Sequence, residues 1–200
     1  MTITDDLLKY FQINGSYKIN DGLVDVEGEV YMKNAGLLRE LRLPVKFGNI
    51  TGNFSTAYVK LTTLIGSPET VSGYFDCMSN NLSTMEGAPK TVHGNFICDD
   101  NILITSLKGS PVIGNYCQCR GLVNLISLNF IQARYISCDW TPTLHILSGL
   151  KCEFLDIQGN EEVTRIMQQY NNDKSQPLRS RIIQCQRDLI DAGLSENAKL

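Results

Sequence analysis

Val71-Ser-Gly73-Tyr-Phe75-Asp-Cys77-Met-Ser-Asn80-Asn-Leu82-Ser-Thr-Met85-Glu-Gly87-Ala-Pro89 is followed by Val92-His-Gly94-Asn-Phe96-Ile-Cys98-Asp-Asp-Asn101-Ile-Leu103, which closes on Leu107-Lys-Gly109-Ser-Pro111. A weaker copy precedes both: Ile50-Thr-Gly52-Asn-Phe54-Ser-Thr56, then Leu61-Thr-Thr-Leu64-Ile-Gly66-Ser-Pro68. Gly52, Gly73 and Gly94 set a step of about 21 residues. A unit this short cannot bury an apolar face alone, so stacked neighbours must complete its core; the period predicts a solenoid.

Each element of the motif has a physical reason. Phe75 and Cys77, two apart, point to one side of a strand, and Asp76 between them points to the other. Asn80 stands where the chain leaves the strand and can bridge backbone groups of adjacent coils. Leu82 re-enters the core, while Gly73 and Gly87-Ala-Pro89 supply the bends that close a coil. One short strand per coil is expected. Phe54, Phe75 and Phe96 are expected to form a buried stack beside a column of Thr56, Cys77 and Cys98.

This order resembles the leucine-rich repeat, Leu-x-Leu-x-x-Asn-x-Leu. The short period and the glycine-proline closure are similar to the compact bacterial subtype, and more so to a glycine-rich variant found in phage and bacterial proteins. The lead-in, a short helix, an Asn20-Asp-Gly22 hairpin and Leu43-Pro44-Val-Lys-Phe47-Gly, also resembles those phage proteins. The resemblance spans about residues 5 to 160. It implies a leucine-rich-repeat-like solenoid over 44–160, between a helix-and-hairpin cap over 1–43 and a helical cap over 161–200, as one compact domain. After Pro111 the pattern departs: Gly114-Asn-Tyr116 comes early, and Gln118 and Gly121 stand where Cys and Asn are expected. Coils around Tyr135-Ile-Ser-Cys138 and Phe154-Leu-Asp-Ile157 continue without legible boundaries, and Val59 interrupts the Asn ladder in the first copy.

Outside the repeats, Thr4 or Asp5 is positioned to cap a helix through about Phe11, with Leu7, Leu8 and Phe11 on one face and Asn14-Gly15 as its stop. Residues 16–32 alternate around Asp21-Gly22 and Glu27-Gly28, the spacing of short strands joined by tight turns. Asn160 is placed to cap a helix bearing Val163, Ile166, Met167 and Tyr170 on one face. Pro177 opens another, with Leu178, Ile182, Cys185 and Leu189 in one stripe and Gly193 at its end.

Composition excludes several classes. The 200 residues carry a net charge of only −3, with acids and bases interleaved, so the cation excess that binds a phosphate backbone is missing and no direct nucleic-acid partner is expected. Met1-Thr-Ile-Thr-Asp-Asp-Leu-Leu has neither the basic nor the apolar stretch of a secretory signal, and no run reaches membrane-spanning length; a cytoplasmic protein is expected. The seven cysteines lack zinc-knuckle spacing, Cys117-Gln-Cys119 included, and read as small reduced core residues without metal, disulfide or cofactor. His93 and His145 have no partner motif, the Gly spacings carry no phosphate loop, and Asp76, Asp99, Asp139 and Asp156 read as solvated strand residues. Some bacterial effectors with such repeats carry a ubiquitin-ligase domain; the forty residues after the solenoid are too few for one, and Cys185 does not replace its nucleophile. No enzyme is expected.

The outward strand face is the expected recognition surface. Its residues are Asn53, Ser55 and Ala57 in the first copy, Tyr74, Asp76 and Met78 in the second, and Asn95, Ile97 and Asp99 in the third. Apolar anchors amid polar groups suit a protein partner. The resemblance to phage proteins implies a host defence or metabolic protein that is inhibited or redirected. The alternative is a structural module that self-associates or attaches to a phage particle.

Overall fold

The computed structural model describes residues 2–33, 35–38 and 40–200, with the side chain of Leu37 left out. The protein is a parallel β-solenoid of about six turns, accompanied among the described residues by three α-helices. Helix α1 (Ile3–Tyr10) leads into an antiparallel hairpin, β1 (Phe11–Asn20) and β2 (Leu23–Met32). The coils then contribute β3 (Lys46–Ile50) and β4 (Phe54–Ser55), β5 (Thr70–Val71) and β6 (Phe75–Asp76), β7 (Thr91–Val92) and β8 (Phe96–Ile97), β9 (Val112–Ile113) and β10 (Tyr116–Cys119), β11 (Tyr135–Asp139) and β12 (Phe154–Gln158). Helices α2 (Glu161–Asn172) and α3 (Leu178–Asp191) follow.

The early coils therefore carry two strands each, not the expected one. A bend at Thr51-Gly52, Ser72-Gly73, His93-Gly94 and Gly114-Asn115 separates two ladders, β3-β5-β7-β9 and β4-β6-β8-β10-β11-β12, and β2 borders the start of both. At the bend, backbones of adjacent coils approach closely. Gly73 N donates to Gly52 O at 2.9 Å, and a Cβ on Gly94 would lie 2.5 Å from Gly73 O, so a side chain at position 94 would displace the neighbouring coil.

The expected core is present. Phe54, Phe75 and Phe96 are fully buried and stack at 5.5 and 5.8 Å between ring centroids, nearly parallel. Thr56, Cys77 and Cys98 form the neighbouring buried column. Asn80 and Asn101 form the ladder: Asn101 donates to the carbonyls of Cys77 and Cys98, both at 3.0 Å, and accepts from Leu82 N at 3.2 Å, and Asn80 repeats this on Thr56, Cys77 and Leu61.

Beyond Pro111 the step does not decay but changes in a defined way. Phe96 pairs with Cys117, still 21 residues on; Cys117 then pairs with Ile136 and Ile136 with Leu155, steps of 19. Cys119, not Gln118, continues the cysteine column, and Gln118 faces outward beside Ile97. Gly121 is not in the Asn slot. It continues a column of left-handed residues, Tyr58, Ser79 and Asp100 (φ 61°, 53° and 55°), at φ 68°. Leu122, three residues past Cys119, is buried, and the Asn ladder stops at Asn101.

The N-terminal segment differs from expectation in four ways. Thr2 caps α1, exchanging hydrogen bonds with Asp5 in a capping box. Leu8 is exposed while Tyr10 joins the buried face. The helix ends before Phe11, and Asn14-Gly15 lies inside β1 because Gly15 and Gly28 pair so closely that a Cβ on either would meet a carbonyl oxygen at 2.1 Å. Only Asp21-Gly22 is a turn; Glu27-Gly28 is strand.

At the other end α2 packs on β12, with Asn160 as its N-cap and Val163, Ile166, Met167 and Tyr170 buried. The side chain of Asn171 accepts from Leu155 N at 2.9 Å and donates to Leu155 O at 2.8 Å, so one amide pairs with the last strand as another strand would. Pro177 opens α3, which buries Cys185 and Leu189 but leaves Leu178 exposed. The tail returns to the solenoid through buried Asn197, which donates to Thr141 O and Leu144 O and accepts from Trp140 Nε1.

Candidate protein-binding face

Alternation along β4, β6, β8, β10, β11 and β12 sends one set of side chains into the core and the other outward. The pairing register aligns the outward set in three rows. The first holds Asn53, Tyr74, Asn95, Tyr116, Tyr135 and Phe154; the second Ser55, Asp76, Ile97, Gln118, Ser137 and Asp156; the third Ala57, Met78, Asp99, Arg120, Asp139 and Gln158.

All nine residues singled out from the sequence lie on this face, in unequal circumstances. Asn53 donates to Glu29 at 2.7 Å and accepts from Tyr74 N at 3.0 Å; Asn95 accepts from Asn115 at 2.9 Å. Ser55 meets Asp76, whose other oxygen accepts from Met78 N at 3.0 Å. Asp99, expected to be solvated, is buried: Gln118 donates to one oxygen and Arg120 N to the other at 2.7 Å. Tyr74, Met78 and Ile97 remain as half-buried apolar surface.

Burial raises the pKa of Asp76 above the ordinary carboxylate value, offset in part by the hydrogen bonds from Met78 and Ser55. Asp99 is raised for the same reason against its bonds from Arg120 and Gln118. Burial, with the Tyr31 hydroxyl beside it, also pushes the Tyr74 phenol up, so it is a neutral hydrogen-bonding group. Comparison with protein families, curated sequences and solved structures finds no match. The face must be read from its own chemistry.

The C-terminal part of the face escaped the sequence reading. Tyr135 and Phe154 stack at 4.8 Å, with the Arg134 guanidinium 5.3 Å from the Tyr135 centroid and Lys174 Nζ 3.7 Å from that of Phe154. Below them Arg120 pairs with Asp156 at 2.8 Å and donates to Ser137 at 2.9 Å, while Ser137 reaches Asp156 at 3.2 Å. The signal was present as aromatic-apolar-polar-apolar at Tyr116-Cys-Gln-Cys119, Tyr135-Ile-Ser-Cys138 and Phe154-Leu-Asp-Ile157, spaced by 19.

The histidines and thiols lie off this outward face. His93 sits exposed in a bend and His145 pairs with Glu196 at 3.0 Å. Cys77, Cys98 and Cys119 donate to carbonyls of the next coil at 3.4–3.5 Å. Burial pushes the Cys77 thiol well up, and those of Cys152 and Cys185 to about 12, which suppresses thiolate chemistry. Among the described residues no helix is long and apolar enough to cross a membrane.

Proposed function

We propose that this chain is a non-enzymatic, leucine-rich-repeat-like scaffold that binds a protein partner through the outward strand face. The observation that carries this reading is the surplus apolar content of that face. The inward rows complete the core unaided, yet Tyr74, Met78 and Ile97, with Tyr116, Tyr135 and Phe154, stand half-buried on the other side among hydrogen-bonded polar groups. Such a mixture, on strands held by a continuous backbone ladder, presents anchors at little entropic cost. On this reading the hairpin and the terminal helices serve as caps of the repeat array. The resemblance to small phage proteins supports a host defence or metabolic protein as the partner, inhibited or redirected in the bacterial cytoplasm.

The test is capture of a partner from bacterial lysate, followed by affinity measurement with the purified pair. Tyr74→Ala/Met78→Ala/Ile97→Asp is expected to remain folded and to lose at least about 2 kcal/mol of binding. Unchanged affinity would move recognition elsewhere. The strip of exposed Ile102, Leu103, Val123 and Ile126 on the turns between coils is then the next surface to alter.

A further inference from the structure

The binding face leaves one feature unused, the outer edge of β1. β1 pairs with β2 along its whole length, from Phe11 opposite Met32 to Asn20 opposite Leu23. In an antiparallel pair the backbone groups of alternate residues turn toward the partner and those between turn away. The far edge of β2 shows which set is which. Val30 N donates to Asn53 O, and the carbonyls of Val26 and Gly28 accept from Thr51 and Gly52. Their opposite numbers Ile13, Gly15 and Tyr17 therefore aim their N–H and C=O groups away from β2. Among the described residues no strand pairs with that edge, and Asn14, Gly15 and Ser16 at its middle are exposed.

Proteins ordinarily blunt such an edge with proline or charge. β1 has no proline, and Lys18 is its one charged residue. Its shape is also particular. Gly28 lies beside Gly52 at the corner of the coil, so β1 follows that corner at Gly15, opposite Gly28. A strand bent at its middle pairs continuously only with one bent at the same place.

We propose that two copies of this chain join β1 to β1 in antiparallel fashion about a two-fold axis at Gly15. Gly15 then faces its own copy, Ile13 faces Tyr17 and Phe11 faces Ile19, all with outward-aimed backbone groups. The apolar row of each strand continues the other on the same face of the sheet. Lys18 falls opposite Gln12 and Asn14 opposite Ser16, so no like charges meet. A two-fold contact of this kind closes on itself and gives a dimer rather than a fibre. This inference does not depend on the binding reading.

Sedimentation and light scattering of the full chain across concentration test it. The wild type is expected to form a dimer. Asn14→Lys/Ser16→Lys sets like charges opposite each other twice across the axis and is expected to weaken the dimer at least about tenfold. Asn14→Lys/Ser16→Glu sets opposite charges at the same places and is expected to retain it, more weakly at high salt. The three substitutions fall at the exposed positions 14 and 16, where Ser16→Glu stands opposite Glu27 of the same hairpin, and a cooperative thermal transition in each variant confirms folding. A wild-type monomer at millimolar concentration, a dimer indifferent to the lysine pair, or equal weakening by both variants overturns the proposal.

Discussion

The coils before Cys117 and those after it exchange their aromatic side chains between faces. In the earlier half the phenylalanine rings lie inside, as Phe54, Phe75 and Phe96, while the outward row opens with Asn53, Tyr74 and Asn95, one ring among three. In the later half the inward column is Cys117, Ile136 and Leu155, and the rings stand outside as Tyr116, Tyr135 and Phe154. The step shortens from 21 to 19 residues at the same place. A coil built round a phenylalanine needs a wider cross-section than one built round isoleucine or leucine, so a shorter circuit suits a smaller filling. The two halves show that ring position and coil length are set together.

The largest test of this contrast lies inside. Phe75→Ala is expected to cost about 3–5 kcal/mol, because it empties the middle of a stacked column, whereas Ile136→Val should cost about 0.5–1.5 kcal/mol. Urea unfolding of both variants checks it; equal losses would mean that the stack contributes nothing special. Next comes Asn101→Ala, which strands Leu82 N and the Cys98 carbonyl in the core, while Cys77 O keeps its bond from Asn80. A loss of about 3 kcal/mol is expected, the upper end for buried groups left without partners.

The bend offers a third comparison. Gly94→Ala places a Cβ 2.5 Å from Gly73 O and is expected to destabilise by about 2 kcal/mol. Asn115, which occupies the same corner one coil later, already carries a side chain, and Asn115→Ala should change the melting temperature little. The smallest effect is electrostatic. Asp76 has its folded pKa raised by burial, so the folded state holds its proton to higher pH than the unfolded chain. Its contribution to stability therefore falls as pH rises from the unfolded value through the folded one. Asp76→Asn should flatten that dependence and leave the molecule slightly more stable at neutral pH; carboxyl NMR titration would locate the midpoint above 3.8.

The early half was legible because its repeats are near-identical at Phe, Cys, Asn and Gly, residues whose roles are narrow. Phe stacks, Asn101 bridges coils, and Gly94 fits where a carbonyl intrudes. The later half was obscured because Cys117 took a phenylalanine slot and Asn115 a glycine slot. Any small or aliphatic side chain fills an inward position once the rings have left it, so identity no longer marks register. Strand count failed for a different reason: Val71 and Phe75 lie on either side of one bend, and a two-residue strand has no period to read. The hairpin was misjudged at Gly15 and Gly28, where glycine permits close approach of strands rather than a turn. Asp99 lay on the face expected of it, but nothing in the sequence announced that Gln118 and Arg120, a coil away, would cover it.

The column of buried thiols turns the chain into its own recorder of local opening. Cys77, Cys98, Cys119 and Cys138 occupy successive coils, Cys152 the next turn and Cys185 a terminal helix. None is accessible to an alkylating reagent until the segment around it opens, so each thiol is labelled at the rate its own neighbourhood frays. In an array where every coil leans only on its neighbours, opening starts at the ends. Labelling is then expected to run inward from Cys185 and Cys152, with Cys98 among the last to react, which makes the order of modification a map of where the stack comes apart.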